Sequence, residues 1–265
     1  MVKVGGNYLN VLELILNQFD LYLLVLVRIS GLFVFAPIFN SRNLPMQIKL
    51  GLSALIAFIV LPILPVQYNH VESFWIFVFG LIGELIVGFL MGFVVSLILA
   101  AVQTAGELID MQIGFSMVNI FDPQSGNQIP LLGNFKYLLA LLLFLTFNGH
   151  HYLLYAMVNS FYKVPLLSFT YNQAIVSYMI QLFANSFVIA VQVAMPVIGT
   201  LFLTELAFGI IVRTVPQMNV FMVGIPVKII LGIIVLSLSM PLYVYFLKYI
   251  FEKIYDDIFI LFSLM

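Results

Sequence analysis

Cysteine is missing from this 265-residue chain and charge is scarce: charged residues make up 8% and hydrophobic residues 63%. Zero cysteines exclude a disulfide framework, a thiolate zinc site and an iron–sulfur cluster. Ten basic and eleven acidic residues balance to a net charge of −1, which offers no basic patch to nucleic acid and no acidic tail. Ordinary soluble domains carry ~25% charge and ~45–50% apolar residues. Here too little polar surface exists to cover the apolar mass in water, and the mean hydropathy of +1.17 agrees. Disorder, collagen and coiled coil fall on the same ground. Catalytic signatures are absent too: there is no HExxH, no GxSxG and no Walker or Rossmann glycine pattern. The three histidines are His70 and the adjacent His150 and His151. Neighbours on a helix point ~100° apart, a poor chelating pair, so no metal or cofactor is expected.

What is present is apolar and aromatic: 26 Phe and 13 Tyr beside one Trp. A spanning helix needs ~20 mostly apolar residues. Such runs cover Tyr8 to Phe39, Gly51 to Val66, Phe74 to Val102, Leu131 to Asn148, Ala174 to Val212 and Ile229 to Leu247. Apolar on every face, they predict an all-α membrane protein of about six long helical regions, not an alternating β-barrel. Ala174 to Val212 would be roughly 59 Å long as one helix, against a ~30 Å hydrocarbon core. Pro196 near its middle predicts a kink or two half-helices. Lys3 alone is basic before Leu16, and Glu13 and Asp20 break the first run, so a retained N-terminus is expected.

A simple bundle fits the charges poorly. Six spans place Lys3, Lys163, Lys248 and Lys253 on one side. Arg42, Lys49, Arg213 and Lys228 fall on the other, with Lys136 near that end, and no orientation results. Further prolines, Pro37, Pro123, Pro216 and Pro226 among them, predict helix breaks. Broken helices at membrane depth require burial in protein or an aqueous path, so the chain is expected to work inside an assembly.

Charges inside apolar segments cost ~2.5–3.5 kcal/mol each on insertion scales. The candidates are Arg28, Glu84, Glu107, Asp110, Glu205, Arg213 and Lys228. They could line a proton or ion path; strung over the whole chain, they read instead as ties between helices or subunits. Gly88 and Gly92 form a G-x-x-x-G beside Glu84 and suit close helix contact. The longest polar segment, Gln103 to Pro130, mixes carboxylates, glycines, Phe and Met before a turn at Asp122-Pro123-Gln124-Ser125-Gly126. A long loop with exposed apolar residues points to function.

Four stretches together resemble the FliR family of flagellar export-gate proteins and its counterpart in virulence type III secretion. They are RISGLFVFAPIFNSRNLPMQIKLGL from Arg28, AGELIDMQIGFSMVNIFDPQSGNQIP from Ala105, FLTFNGHHYLLYAMVNSF from Phe144 and LTELAFGIIVRTVPQMNVFMVGIPVKIILG from Leu203. The resemblance implies a single integral-membrane domain: a FliP-like part over roughly 1–170 and a FliQ-like hairpin over roughly 171–265. It implies helical hairpins in a superhelical cone, partners similar to FliP and FliQ, and a FlhB-like switch protein. The cargo would be unfolded polypeptide leaving through the bacterial inner membrane, with no enzymatic step and no cofactor. It also implies that the loop Gln112-Ile113-Gly114-Phe115-Ser116-Met117 helps plug the pore. Phe115 and the methionines are bulky and deformable, Gly114 permits a tight turn, and an apolar constriction blocks water and ions by dewetting. A loop packed statically against its neighbours is the plainer alternative. The chain stops at Met265 without a polar extension, so the resemblance implies no fused switch domain. A proton-coupled transporter using Glu84 and Glu205 is a competing reading, but the two halves show no internal repeat at matching spacing.

Overall fold

A computed structural model describes residues 5–37, 39, 45–64, 73–115, 130–215, 217 and 219–265. Among these the chain is all-helical, as its apolar runs predict. The helices are α1 (Gly5–Phe35), α2 (Met46–Val60) with a 3-10 turn at Leu61–Ile63, α3 (Phe74–Ile113), α4 (Leu131–Thr146), α5 (Gly149–Lys163), α6 (Gln173–Thr214) and α7 (Val220–Leu264). Five helices are long and apolar enough to cross a membrane, or six spans if α4 and α5 count as one broken span.

Local chemistry sets several boundaries. Pro45 and Pro130 precede α2 and α4 with φ −61 and extended ψ, and neither supplies a side-chain cap. Their fixed φ launches a helix while removing an amide that would go unpaired. Between α4 and α5 Asn148 takes φ 58, the left-handed region that Asn tolerates better than most residues. Pro196 and Pro226 lie inside α6 and α7, which continue past them for totals of 42 and 45 residues. Of the kink or two half-helices expected at Pro196, the continuous helix leaves out the two half-helices. A proline costs one helical hydrogen bond, and an apolar setting with no competing water keeps the remaining ladder intact.

The chain divides into two compact units. One holds residues 1–96, 150–179 and 254–265; the other holds residues 97–149 and 180–253. In the first unit the core is built on Leu24, Val25, Ile29 and Leu32 of α1 against Val87 and Met91 of α3, all at most 1% exposed. Glycine makes that seam. A Cβ on Gly31 would stand 2.7 Å from the Leu85 carbonyl oxygen, and one on Gly92 would stand 2.9 Å from the Ala36 amide. A Cβ on Gly88 would overlap the carbonyl oxygen of Arg28. The two helices thus meet backbone to backbone. In the second unit Ile109, Ile113, Ala140, Phe144, Leu201 and Leu247 are buried, and Phe144 meets Phe251 edge to face at 5.2 Å. There Gly106 and Gly133 bring α3 and α4 into similar backbone contact.

Candidate functional site

The first unit buries its charge where the glycine seam is tightest. Arg28 and Glu84 are both fully buried, and Arg28 Nε donates to Glu84 Oε2 at 2.5 Å. Arg28 Nη1 donates to Ser160 Oγ at 3.2 Å and to the Val164 carbonyl at 2.9 Å. The guanidinium also lies 4.5 Å from the ring centroid of Phe161. Glu84 spends its second oxygen on the Leu167 amide at 2.9 Å. Leu167 has φ 64, a left-handed conformation costing a non-glycine residue ~1–2 kcal/mol. Its side chain fills the notch left by Gly80. A carboxylate, a guanidinium, two serial carbonyl and hydroxyl acceptors and a strained turn thus form one network, in which only Arg28 Nη2 lacks a partner among the described residues. Buried charges are stable when paired and hydrogen-bonded in this way.

The second unit frames the segment expected to plug a pore. Gln112 and Ile113 end α3; Gly114 follows with φ 99 and Phe115 is half-buried. Such a φ is costly for any side chain, so glycine is required at the turn. Ile113 is fully buried and fills a notch at Gly232 of α7, where a Cβ would stand 2.7 Å from its Cδ1. Ser116 and Met117 lie outside the described residues, as do Pro123 and Pro216. The chain resumes at α4, whose first amides are taken by Asp110. The Leu132 amide donates to Asp110 Oδ2 at 2.9 Å and Oδ1 at 3.1 Å, and the Gly133 amide donates to Oδ2 at 3.1 Å. A carboxylate from α3 therefore supplies the cap that Pro130 cannot, in the position where the helix dipole favours negative charge. It ties together the two ends of the segment between α3 and α4.

The other expected charges are less enclosed. Glu107 accepts from Gln103 Nε2 at 3.1 Å, one turn back along α3. Glu205 of α6 pairs with Lys228 of α7 at 2.5 Å, with the side chains 42% and 23% exposed. Arg213 is exposed in the last turn of α6, and Pro37 lies in the turn that follows α1. Sequence reasoning named Arg28 and Glu84 but not Ser160, Val164 or Leu167, whose separations of 83 to 136 residues leave no local signal. It also passed over Lys136, 3% exposed, whose ammonium lies 4.5 Å from the Tyr243 ring centroid. A lone lysine inside an eighteen-residue apolar run was the available clue. Among the described residues no group of three or more His, Asp or Glu is placed to hold a metal.

Long apolar helices, charges held between them and backbone-close glycine seams define a polytopic helical membrane protein. The chain belongs to the family described as Bacterial export proteins, family 1, whose profile matches residues 19–254. It is 39% identical over 231 residues to the flagellar biosynthetic protein FliR of Bacillus subtilis (strain 168), covering 85% of this chain and 88% of the relative. It is 34% identical over 242 residues to FliR of Escherichia coli (strain K12), covering 91% and 92%. FliR of Aquifex aeolicus (strain VF5) is 34% identical over 214 residues, covering 81% and 82%.

Proposed function

We propose that this chain is a non-enzymatic subunit of the flagellar protein export gate in the bacterial inner membrane. With FliP-like and FliQ-like subunits and a FlhB-like switch protein it forms a channel for unfolded flagellar polypeptides. The observation that carries this reading is the match to relatives named for flagellar biosynthesis, 39% identical in one case over 85% of this chain and 88% of the relative. That name also favours the flagellum over a virulence secretion system. The surroundings of the Gln112–Met117 loop support a plug: Ile113 is seated at Gly232, Gly114 makes the turn, and Asp110 holds the start of α4, where the segment that begins with this loop ends. A plug fixed at its two roots can yield in the middle to a passing chain while its apolar side chains keep water out.

The test has two parts. The chain is tagged at its C-terminus, expressed at native level, purified in mild detergent, and its companions identified by mass spectrometry. FliP-like and FliQ-like companions are expected; recovery of this chain alone overturns the gate reading. Shortening the loop around Gly114 and Phe115 should then leave the complex assembled while membranes leak ions. Unchanged conductance with normal assembly removes the plug role and leaves the loop a static packing element.

A further inference from the structure

The second unit contains a cavity of about 120 Å³ between α4, α6 and α7. Lys136, Gln192, Pro196, Ser239, Leu242 and Tyr243 line it. Lys136 is 3% exposed, and among the described residues its ammonium has no carboxylate within ion-pair distance. The Tyr243 ring beneath it is held by a hydrogen bond from its own hydroxyl to the Lys136 carbonyl at 3.0 Å. The Ser239 hydroxyl proton already goes to the Leu236 carbonyl at 2.9 Å. The lining residues with a donor left to offer are therefore the buried Lys136 and, on the exposed side, Gln192. We propose that this cavity is a socket for one carboxylate side chain, carried on an apolar helix of another polypeptide.

Three observations lead there. A buried ammonium over an aromatic face is only partly compensated; the ring quadrupole does not replace a counter-ion, and a buried unpaired charge is costly. One cation and one amide match a single monoanion. The rim is apolar: Leu242 is 61% exposed, Leu238 of the preceding turn 76%, and Met195 beside Gln192 54%. Whatever brings the anion must itself be apolar around it. Depth separates a protein carboxylate from a lipid phosphate. Gln192 and Pro196 lie ~27–35 Å from the two ends of α6, and Ser239 and Leu242 ~29–38 Å from the two ends of α7, at 1.5 Å per residue. A headgroup at the edge of a ~30 Å core would meet this site only with the core shifted to one end of both helices, whereas a side chain on a partner helix meets it wherever the core lies.

The inference needs a second chain but not a particular one, so it stands or falls separately from the export-gate reading. The purified native complex is treated with a water-soluble carbodiimide, which joins an amine to a contacting carboxylate, and the bonds are mapped by mass spectrometry. Lys136→Arg and Lys136→Met complexes are purified in parallel, with proteins and phospholipids both quantified. The expected result is a Lys136 amide bond to an Asp or Glu in an apolar segment of another subunit. If the reagent fails to reach the site, the variants decide. Lys136→Met should then lower recovery of one subunit at least ~10-fold, by loss of a buried charge pair, while Lys136→Arg retains it. A bond to this chain's own carboxylates, Asp122 among them, overturns the proposal. So does a Lys136-dependent loss of anionic phospholipid instead of a subunit. Equal recovery of every subunit with Lys136→Met, and no bond, overturns it as well, since relief of an uncompensated ammonium is then the only effect.

Discussion

Glu84→Gln isolates what the Arg28 network contributes. Glutamine keeps an oxygen for the Leu167 amide but turns an NH2 toward Arg28 Nε, placing donor against donor. It also strips the counter-charge from a guanidinium with no solvent exposure. Removing one member of a buried pair costs ~3–5 kcal/mol, a roughly 100- to several-thousand-fold shift in the folded population. That is a large part of the ~5–15 kcal/mol by which domains are stable. Replacing both residues by Met should recover most of the loss, because an apolar pair of similar volume is often neutral. What remains is the orphaned Leu167 amide and the Val164 carbonyl left without its Arg28 donor, at ~1–3 kcal/mol for an unsatisfied buried group. The assay is the amount of full-length chain in membranes at matched transcript level, together with the thermal midpoint of the purified complex. Glu84→Gln should fall furthest, with the double variant between it and the parent. Parental abundance and midpoint for Glu84→Gln would refute the reasoning. If export were lost as well, Glu84 would become a coupling carboxylate.

Other changes test the same framework. Gly88→Ala places a methyl on the Arg28 carbonyl and should deplete the protein as Glu84→Gln does, whereas Gly199→Ala, with nothing within 4 Å, should be neutral by the same blot. Asp110→Ala removes the cap of α4 and should cost ~1–2 kcal/mol, seen as at least ~5-fold faster amide exchange at Leu132 and Gly133. Glu205→Gln touches a pair with side chains 42% and 23% exposed, less enclosed than Arg28 and Glu84, so chain abundance should fall much less than with Glu84→Gln.

The helical class was legible because apolar runs of 16 to 39 residues, apolar on every face, admit few other structures. The G-x-x-x-G at Gly88 and Gly92 signalled close contact, though only the fold shows α1 as the neighbour. Charge placement was legible as a problem and not as a solution. Arg28 stands out in its sequence neighbourhood, but its partners at 84, 160 and 164 belong to tertiary structure. Pro196 was read as a kink or a break and Pro226 as a break, because a proline removes a helical hydrogen bond; α6 and α7 nonetheless run on past them. Asp110 stood out as a loop carboxylate, yet its role depends on amides 22 and 23 residues downstream.

The span of that first network in sequence has a temporal meaning. A ribosome adds roughly 5–20 residues per second. Glu84 therefore follows Arg28 by about 3–11 s, and Val164, 136 residues on, by about 7–27 s. For that interval α1 holds a cation whose final acceptors have not been made. Until the polypeptide has grown past α5, α1 therefore carries its charge at the insertion cost of an unpaired arginine, ~2.5–3.5 kcal/mol, and each later acceptor lowers it.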